Sequence, residues 1–221
     1  MSARLPFLES AAVTDVLTFA ERASRLGDGV LRLRAAAGTL AVTAAPLAPR
    51  GLLDATPTVL GMRFARVDPE LECDLLVDAT RLSASEDPRQ IALPDSAVSA
   101  AWAGVAPPRG GWSEAGSIPA PVLAARAQWG MAAVAHSVPT DAGEDVVRVV
   151  RASIWGAPDD DLLHLPLGAA FAAFGLGFIG GDEPVAIRRS GPWTRLSLLR
   201  GHVLVRGPQH TGMTAVRATG H

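Results

Sequence analysis

The chain has 221 residues, with 20 basic residues against 22 acidic ones and a single cysteine, and every basic residue is an arginine. Hydrophobic residues make up 48% of it and charged residues 19%, which excludes disordered, collagen-like and disulfide-stapled classes. The formal net charge of −2 gives no sign of a nucleic-acid or polybasic membrane binder. A chain of this length fits one large or two small compact domains.

The first half is predicted to form a helix followed by an antiparallel meander. Apolar residues recur at three- and four-residue spacing through residues 9–26, and Gly27 is placed to end that helix. The strands predicted from alternating polarity are residues 30–34, 39–43, 59–67 and 71–78. Their polar positions would leave one face of the sheet towards solvent.

Cys73 lies on the apolar face of the last of these strands, and carboxylates take the opposite face. We predict a small core residue there, because a nucleophilic thiolate needs partial exposure and positive neighbours. A single cysteine cannot form an internal disulfide, which fits a cytoplasmic location. Glu9 and Asp15 interrupt the apolar run that an export signal at the amino terminus would need.

The second half is predicted to hold helices and then strands. The helices cover residues 121–136, 142–155 and 166–179, and the strands cover residues 185–189, 193–199 and 202–206. The third helix is nearly all apolar. The charge-free run around it contains His164, Pro166 and five glycines, which favours a buried core helix over a membrane span.

The predicted fold class is α+β, with an antiparallel sheet or meander, a helical middle segment and a closing C-terminal β-hairpin. Residues 1–101 would carry the first helix and its strands, residues 102–121 a Gly/Pro-rich connecting loop, and residues 122–221 the helices and the hairpin. The same pattern also fits one compact domain formed by both halves.

The sequence predicts no catalytic residue, no metal site and no cofactor. Residues 175–180 fit the letters of a dinucleotide fingerprint, but no useful helix follows them and no acid follows Glu183, so we expect a helix end there. Asp159 to Asp161 with His164 are expected to cap a helix, since consecutive carboxylates do not converge on one ion. Zinc-ligand spacing and a serine nucleophile motif are absent from the sequence.

Charge is divided unevenly along the chain. Residues 184–221 contain six arginines and no acid, so the remaining residues hold 14 arginines against 22 acids. Residues 68–95 are the most acidic part, with eight acids and two arginines. The near-neutral total therefore conceals an acidic body and a basic C-terminal segment.

The closing hairpin gives the first candidate site. A two-residue turn at Arg200-Gly201 would place Arg195 directly opposite Arg206, and such like charges repel unless an anion lies between them. We expect a carboxylate from residues 68–95 to fill that place, with an external anion or acidic partner as the alternative. Arg188, Arg195, Arg206 and His202 are the predicted anion- or partner-binding residues.

The loop between two tryptophans gives an alternative pocket. Trp102 and Trp112 could wall it, and Arg109 could bind an anionic small molecule. Two buried indoles anchoring a proline-rich connection explain the same residues without a ligand.

The leading function hypothesis is a cytoplasmic, non-catalytic interaction or regulatory protein whose basic hairpin meets an acidic surface. That surface would belong to its own chain, a second copy or a protein partner. The rival is a small-molecule enzyme or binding protein that uses the pocket around Arg109. Three helices before a hairpin also follow the order of a winged-helix unit, but the would-be recognition helix at 167–178 has no side chain that could read bases, so sequence-specific DNA binding is not expected.

Overall fold

A computed structural model of the chain describes residues 4–51, 53–96 and 98–207. The helices are α1 (Ser10–Ser24), α2 (Ala120–Ser137), α3 (Glu144–Gly156) and α4 (Gly168–Gly175). The strands of the first half are β1 (Arg4–Pro6), β2 (Val30–Ala36), β3 (Thr39–Leu47), β4 (Thr58–Arg66), β5 (Cys73–Asp78), β6 (Ser83–Ala84) and β7 (Gln90–Ala92). The later strands are β8 (Ser113–Pro119), β9 (Pro158–Asp159), β10 (Leu165–Pro166), β11 (Pro184–Ser190), β12 (Trp193–Leu198) and β13 (Gly201–Arg206). The protein is α+β, as the sequence predicts.

Eight strands form one antiparallel sheet in the order β5-β2-β3-β4-β13-β12-β11-β8. The meander β2-β3-β4 follows α1, and the meander β11-β12-β13 follows the later helices. The last strands of the two meanders, β4 and β13, pair antiparallel at the middle of the sheet. Two similar halves therefore meet along one line of backbone hydrogen bonds. Strands β1, β7 and β6 form a small separate sheet.

The main core lies between the helices and one face of this sheet. Helix α1 buries an apolar stripe at the predicted three- and four-residue spacing. The stripe consists of Val13, Val16, Phe19, Ala20 and Ala23. Phe19 stacks on Phe178 with ring centroids 5.9 Å apart, which joins the helix to the second half.

Helix α4 is a buried core helix, shorter than the predicted span of 166–179. The helix ends before Gly177, because Gly177 takes a left-handed φ of 73°, a conformation that favours glycine over residues with a Cβ. The chain then turns and buries Phe178 in the core. No helix in the described ranges combines the length and hydropathy needed to cross a bilayer.

The stretch 102–121 is not a plain loop, because residues 113–119 form strand β8 at one edge of the large sheet. Its Gly and Ser composition conceals the strand. A register shift opposite Ile187 and Arg188, close to Gly116 with its φ of 121°, interrupts the alternation that would have predicted it. The division into residues 1–101 and 122–221 stays a prediction.

The register of the closing hairpin differs from the predicted one. Leu198 pairs with Gly201, so the turn is Leu199-Arg200 and Arg195 lies opposite Leu204, not Arg206. Gly201 is needed inside the strand, since a Cβ there would lie 2.5 Å from the ring of Phe178. The shift is an even number of residues, so every side chain keeps its predicted face.

Candidate interaction site

The sheet face away from the helices, called the outer face here, carries a second apolar cluster. Its buried members are Ala45, Leu60, Trp102, Trp193 and Leu204. Residues 100–112 pack across this cluster, and the Trp102 indole N–H donates to the Asp28 carboxylate at 2.9 Å. The segment that connects the two halves therefore covers part of the outer face.

Arg32 fastens the same connection to the sheet. Its guanidinium donates to both oxygens of Asp74 at 2.7 Å and to the carbonyl of Ala103 at 2.7 Å. The hydrogen bond to Arg32 is the main reason that the pKa of Asp74 is lowered.

The four residues predicted for anion or partner binding lie on the outer face. Arg188 pairs directly with Arg195 across β11 and β12, and His202 and Arg206 share that face by register. The predicted pairing of Arg195 with Arg206 is therefore wrong, since Arg195 lies opposite Leu204 on that side; the arginine directly opposite Arg195 is Arg188, on β11.

Arg195 rests on an aromatic ring. Its guanidinium carbon lies 4.6 Å from the centroid of the Trp112 ring, and the Trp112 indole N–H donates to the carbonyl of Pro108 at 3.2 Å. The Nε of Arg195 is buried and, within the described residues, has no hydrogen-bond partner. Burial, and then the charge of Arg188, lower the pKa of Arg195, because both disfavour its charged form.

The acidic segment does not neutralise this pair. Of its carboxylates, Asp74 pairs with Arg32 and Arg34, and Asp87 pairs with Arg89. In the part of the chain that the structure describes, neither Arg188 nor Arg195 forms an ion pair with a carboxylate. The expectation of an internal partner from residues 68–95 is therefore wrong for these two arginines.

Glu114 is a nearby carboxylate that the sequence did not reveal. It lies on the edge strand β8, directly opposite Arg188 and on the side of β11 away from β12, but no ion pair joins the two. Its position depends on a strand that composition conceals, so no sequence signal would have found it.

His202 is half-buried beside Arg195. The ring of Phe64 meets it edge-on with centroids 5.7 Å apart, and its Nδ1 has no hydrogen-bond partner among the described residues. Burial first and Arg195 second lower the pKa of His202, so the neutral ring is favoured. Ser197 lies directly opposite, but no carboxylate of the described chain hydrogen-bonds to this imidazole.

The alternative pocket is only partly assembled. Trp102 and Trp112 both pack on the second cluster, whereas Arg109 is exposed. Within the described ranges Arg109 makes no hydrogen bond or ion pair, so it does not converge with a titratable group.

The aspartates at 159–161 form a cap. Asp159 is buried, accepts from the backbone N–H of Asp161 at 3.1 Å and pairs with Arg126. His164 lies 3.0 Å from Asp160 in an exposed position. No group of three residues able to hold a metal ion occurs in the described part of the chain.

Two family models match the chain, each over slightly less than half of it. Residues 1–104 match a domain of unknown function, DUF8010, and residues 107–210 match another, DUF8185. No curated protein matches the chain in sequence.

Several bacterial sliding clamps are similar in structure. A DnaN sliding clamp (DNA polymerase III subunit beta) from Bartonella birtlesii, solved with griselimycin, has a TM-score of 0.50 and 14% identity, covering 95% of this chain and 66% of that one. The DNA polymerase sliding clamp of Caulobacter crescentus has a TM-score of 0.47 and 15% identity, covering 100% of this chain and 69% of that one. The Helicobacter pylori beta clamp bound to a DNA ligase peptide has a TM-score of 0.43 and 9% identity, with 95% and 66% covered. This chain thus spans about two thirds of each clamp, and the likeness concerns the fold alone.

Proposed function

We propose that the chain is a cytoplasmic, non-catalytic interaction protein that binds an acidic segment of a partner protein on its outer face. The binding residues are Arg188, Arg195 and Arg206 together with His202. The observation that carries the proposal is the Arg195 guanidinium on Trp112. Its Nε is buried and has no partner among the residues that the structure describes, and a second arginine lies directly across the strand pair.

The electrostatics of this arrangement favour an anion. Two guanidinium groups placed side by side repel each other, and a carboxylate between them would turn that repulsion into two charge-assisted hydrogen bonds. The aromatic ring beneath Arg195 orients its plane and limits its rotation, so less side-chain entropy is lost when an anion binds.

An acidic polypeptide fits better than a nucleic acid. Binding to a phosphate backbone requires many cations along one surface, whereas the outer face combines a few arginines with Glu114. A chain with a net charge of −2 also gains nothing from long-range attraction to DNA. A partner that offers one or two carboxylates at a defined spacing matches the paired guanidinium groups.

The clamp-like fold is compatible with this role. The Bartonella clamp is a subunit of a DNA polymerase, so the fold occurs in a protein that works as part of an assembly. At 14% identity this is an analogy between folds, and it says nothing about the partner of this chain.

Binding of a fluorescein-labelled decaglutamate peptide at low salt, followed by fluorescence anisotropy, tests the proposal. Arg188→Gln combined with Arg195→Gln should weaken binding roughly tenfold, equivalent to about 1.4 kcal/mol. Trp112→Leu keeps an apolar contact and removes the aromatic face, so it should weaken binding by a smaller factor. Arg25→Gln is the matched control, since Arg25 is an exposed arginine just after α1 whose side chain, among the described residues, pairs with Glu21 alone.

Three outcomes would contradict the proposal. The wild-type chain could fail to bind the peptide, or the double variant could bind it as tightly as the control does. A labelled DNA duplex could also bind more tightly than the acidic peptide, which would assign the face to nucleic acid.

A further inference from the structure

The central strand β4 is longer than its partner β13. Pairing between them runs from Arg206 opposite Thr58 to His202 opposite Met62 and stops there. On its other side β4 stays paired with β3 as far as Arg66 opposite Thr39. Within the described residues, the segment 63–66 is therefore hydrogen-bonded along one edge only.

A strand edge of this kind requires partners for its backbone. Every second residue directs its N–H and C=O towards the free edge, and such groups pair readily with another extended chain. Proteins commonly protect free edges with prolines, bulges or covering loops. Residues 63–66 contain no proline and no bulge in their pairing with β3, and the charges on this edge are Arg63, which is paired with Asp15, and Arg66.

Helix α1 lies beside this edge and leaves a cleft of about 460 Å³. The cleft is lined by Leu8, Glu9, Ala11, Ala12, Thr14, Asp15, Thr18, Phe64, Ala65 and Arg66. Leu8 and Phe64 are large apolar side chains that are each 47% exposed; Leu8 lies just before α1, and Phe64 points to the outer face, where its ring meets His202. Because successive residues of an added strand point to opposite faces, one apolar side chain would cover Leu8 and the next would cover Phe64.

An ion pair joins α1 to β4 beside the cleft. Arg63 extends from β4 to Asp15 of α1, and only 18% of the Arg63 side chain is exposed. This contact fixes the distance between the helix and the strand edge, so a ligand would meet a preformed groove and would lose less ordering entropy on binding.

The charges around the cleft indicate the character of the occupant. Asp15 is already paired with Arg63, which leaves one carboxylate, Glu9, and one guanidinium, Arg66, in the lining. These two balance each other, so a segment of low net charge fits. The outer face, by contrast, is proposed to bind a negatively charged segment, so the two sites would select different peptides.

We infer that the free edge of β4 and the adjoining cleft form a docking groove for an extended, apolar peptide segment of a partner protein. The segment adds as a short strand along residues 63–66, with one apolar side chain against Leu8 on the helix side and the next against Phe64 on the outer face. In strand addition of this kind, main-chain hydrogen bonds supply affinity and pockets for alternate side chains supply specificity.

A phage-displayed library of random nine-residue peptides, selected against the full chain, tests the inference. The peptide enriched most strongly is then synthesised with a fluorescein label and titrated against variants. Ala11→Trp fills the cleft from an exposed helical position and should weaken binding at least roughly tenfold. Ala125→Trp makes the same change at an exposed position on α2 and should leave binding unchanged. Thermal melting of both variants shows that each still folds.

Methylation of the peptide backbone nitrogens, one position at a time, tests main-chain pairing. The expected result is a strong loss of affinity at alternate positions and little effect at the positions between them. The inference is overturned if selection enriches no binder, if Ala11→Trp has no effect, or if no methylated position matters. The Arg188→Gln and Arg195→Gln variants should bind this peptide normally, so failure here is distinguishable from failure of the proposal for the outer face.

Discussion

The ring of Phe178 lies against the Cα of Gly201, so closely that a Cβ at position 201 would come within 2.5 Å of it. This contact packs the turn that follows α4 onto the first residue of β13. Gly201→Ala should therefore lower the free energy of unfolding by roughly 1–3 kcal/mol, the usual cost of overpacking a core. Urea denaturation followed by tryptophan fluorescence measures it.

Gly104→Ala is the control for that experiment. Nothing lies within 4 Å of a Cβ built at Gly104, and its φ lies outside the left-handed region. Equal stability of the two variants would mean that Phe178 can move away from β13 without cost, contrary to the packing described.

Stability should depend on the protonation of His202. Burial and Arg195 hold the pKa of His202 below its ordinary value of 6.5, so below that pH the unfolded chain binds a proton that the folded chain binds less readily. The thermal midpoint should consequently fall as the pH is lowered from about 7.5 to about 5.5.

His202→Gln should reduce that fall, because the substituted side chain does not titrate. The fall that remains would come from other groups. The lowered pKa of Asp74 acts in a separate range, since its contribution is present above the ordinary value of 3.8 and is lost in more acidic solution. If lowering the pH reduces the thermal midpoints of wild type and His202→Gln by the same amount, His202 is not the cause of the pH dependence.

The stability that Arg32 provides should depend on the planar shape of its guanidinium, which donates to two different partners at once. Arg32→Lys keeps the charge but cannot donate to Asp74 and to the carbonyl of Ala103 in the same arrangement, so it should destabilise the fold by roughly 1–2 kcal/mol. Arg34→Lys is the matched control, because Arg34 approaches the same carboxylate only to 3.9 Å. Similar unfolding free energies for the two variants would mean that the hydrogen bonds of Arg32 to Asp74 and Ala103 add little to stability.

Cys73 should react slowly with thiol reagents. Burial raises the pKa of its thiol above the ordinary value of 9.0, so little thiolate forms near neutral pH. In the native chain, the rate with Ellman's reagent should be several-fold below that of a Cys73→Ala, Ser137→Cys variant, whose cysteine stands at an exposed position. Equal rates would show an accessible thiolate and would reopen the nucleophile interpretation.

Periodicity predicted those parts of the fold in which one face is buried. The apolar stripe of α1 and the alternation along β2 could be read directly, because burial imposes their spacing. The faces of β12 and β13 were also predictable, since alternation survives an even shift of register. The exact register was not, because it depends on the contact of Gly201 with Phe178, a residue from another element.

The candidate site was predictable only in part. Arg195 and Arg206 could be placed on one face from the strand pattern alone. Their surroundings could not, because Trp112 and Glu114 reach Arg195 and Arg188 from a segment remote in sequence. The groove beside β4 depends on the unequal lengths of two paired strands, and each strand end was ambiguous in the sequence.

The pairing of β4 with β13 has a consequence for how the chain folds. Each half supplies one side of this central ladder, and the core contact between Phe19 and Phe178 also joins the two halves. A fragment ending near residue 104 would leave the full length of β4 without its second neighbour and the stripe of α1 partly uncovered. We therefore expect the intact chain to unfold in a single cooperative transition and each fragment, made alone, to aggregate until its complement is supplied.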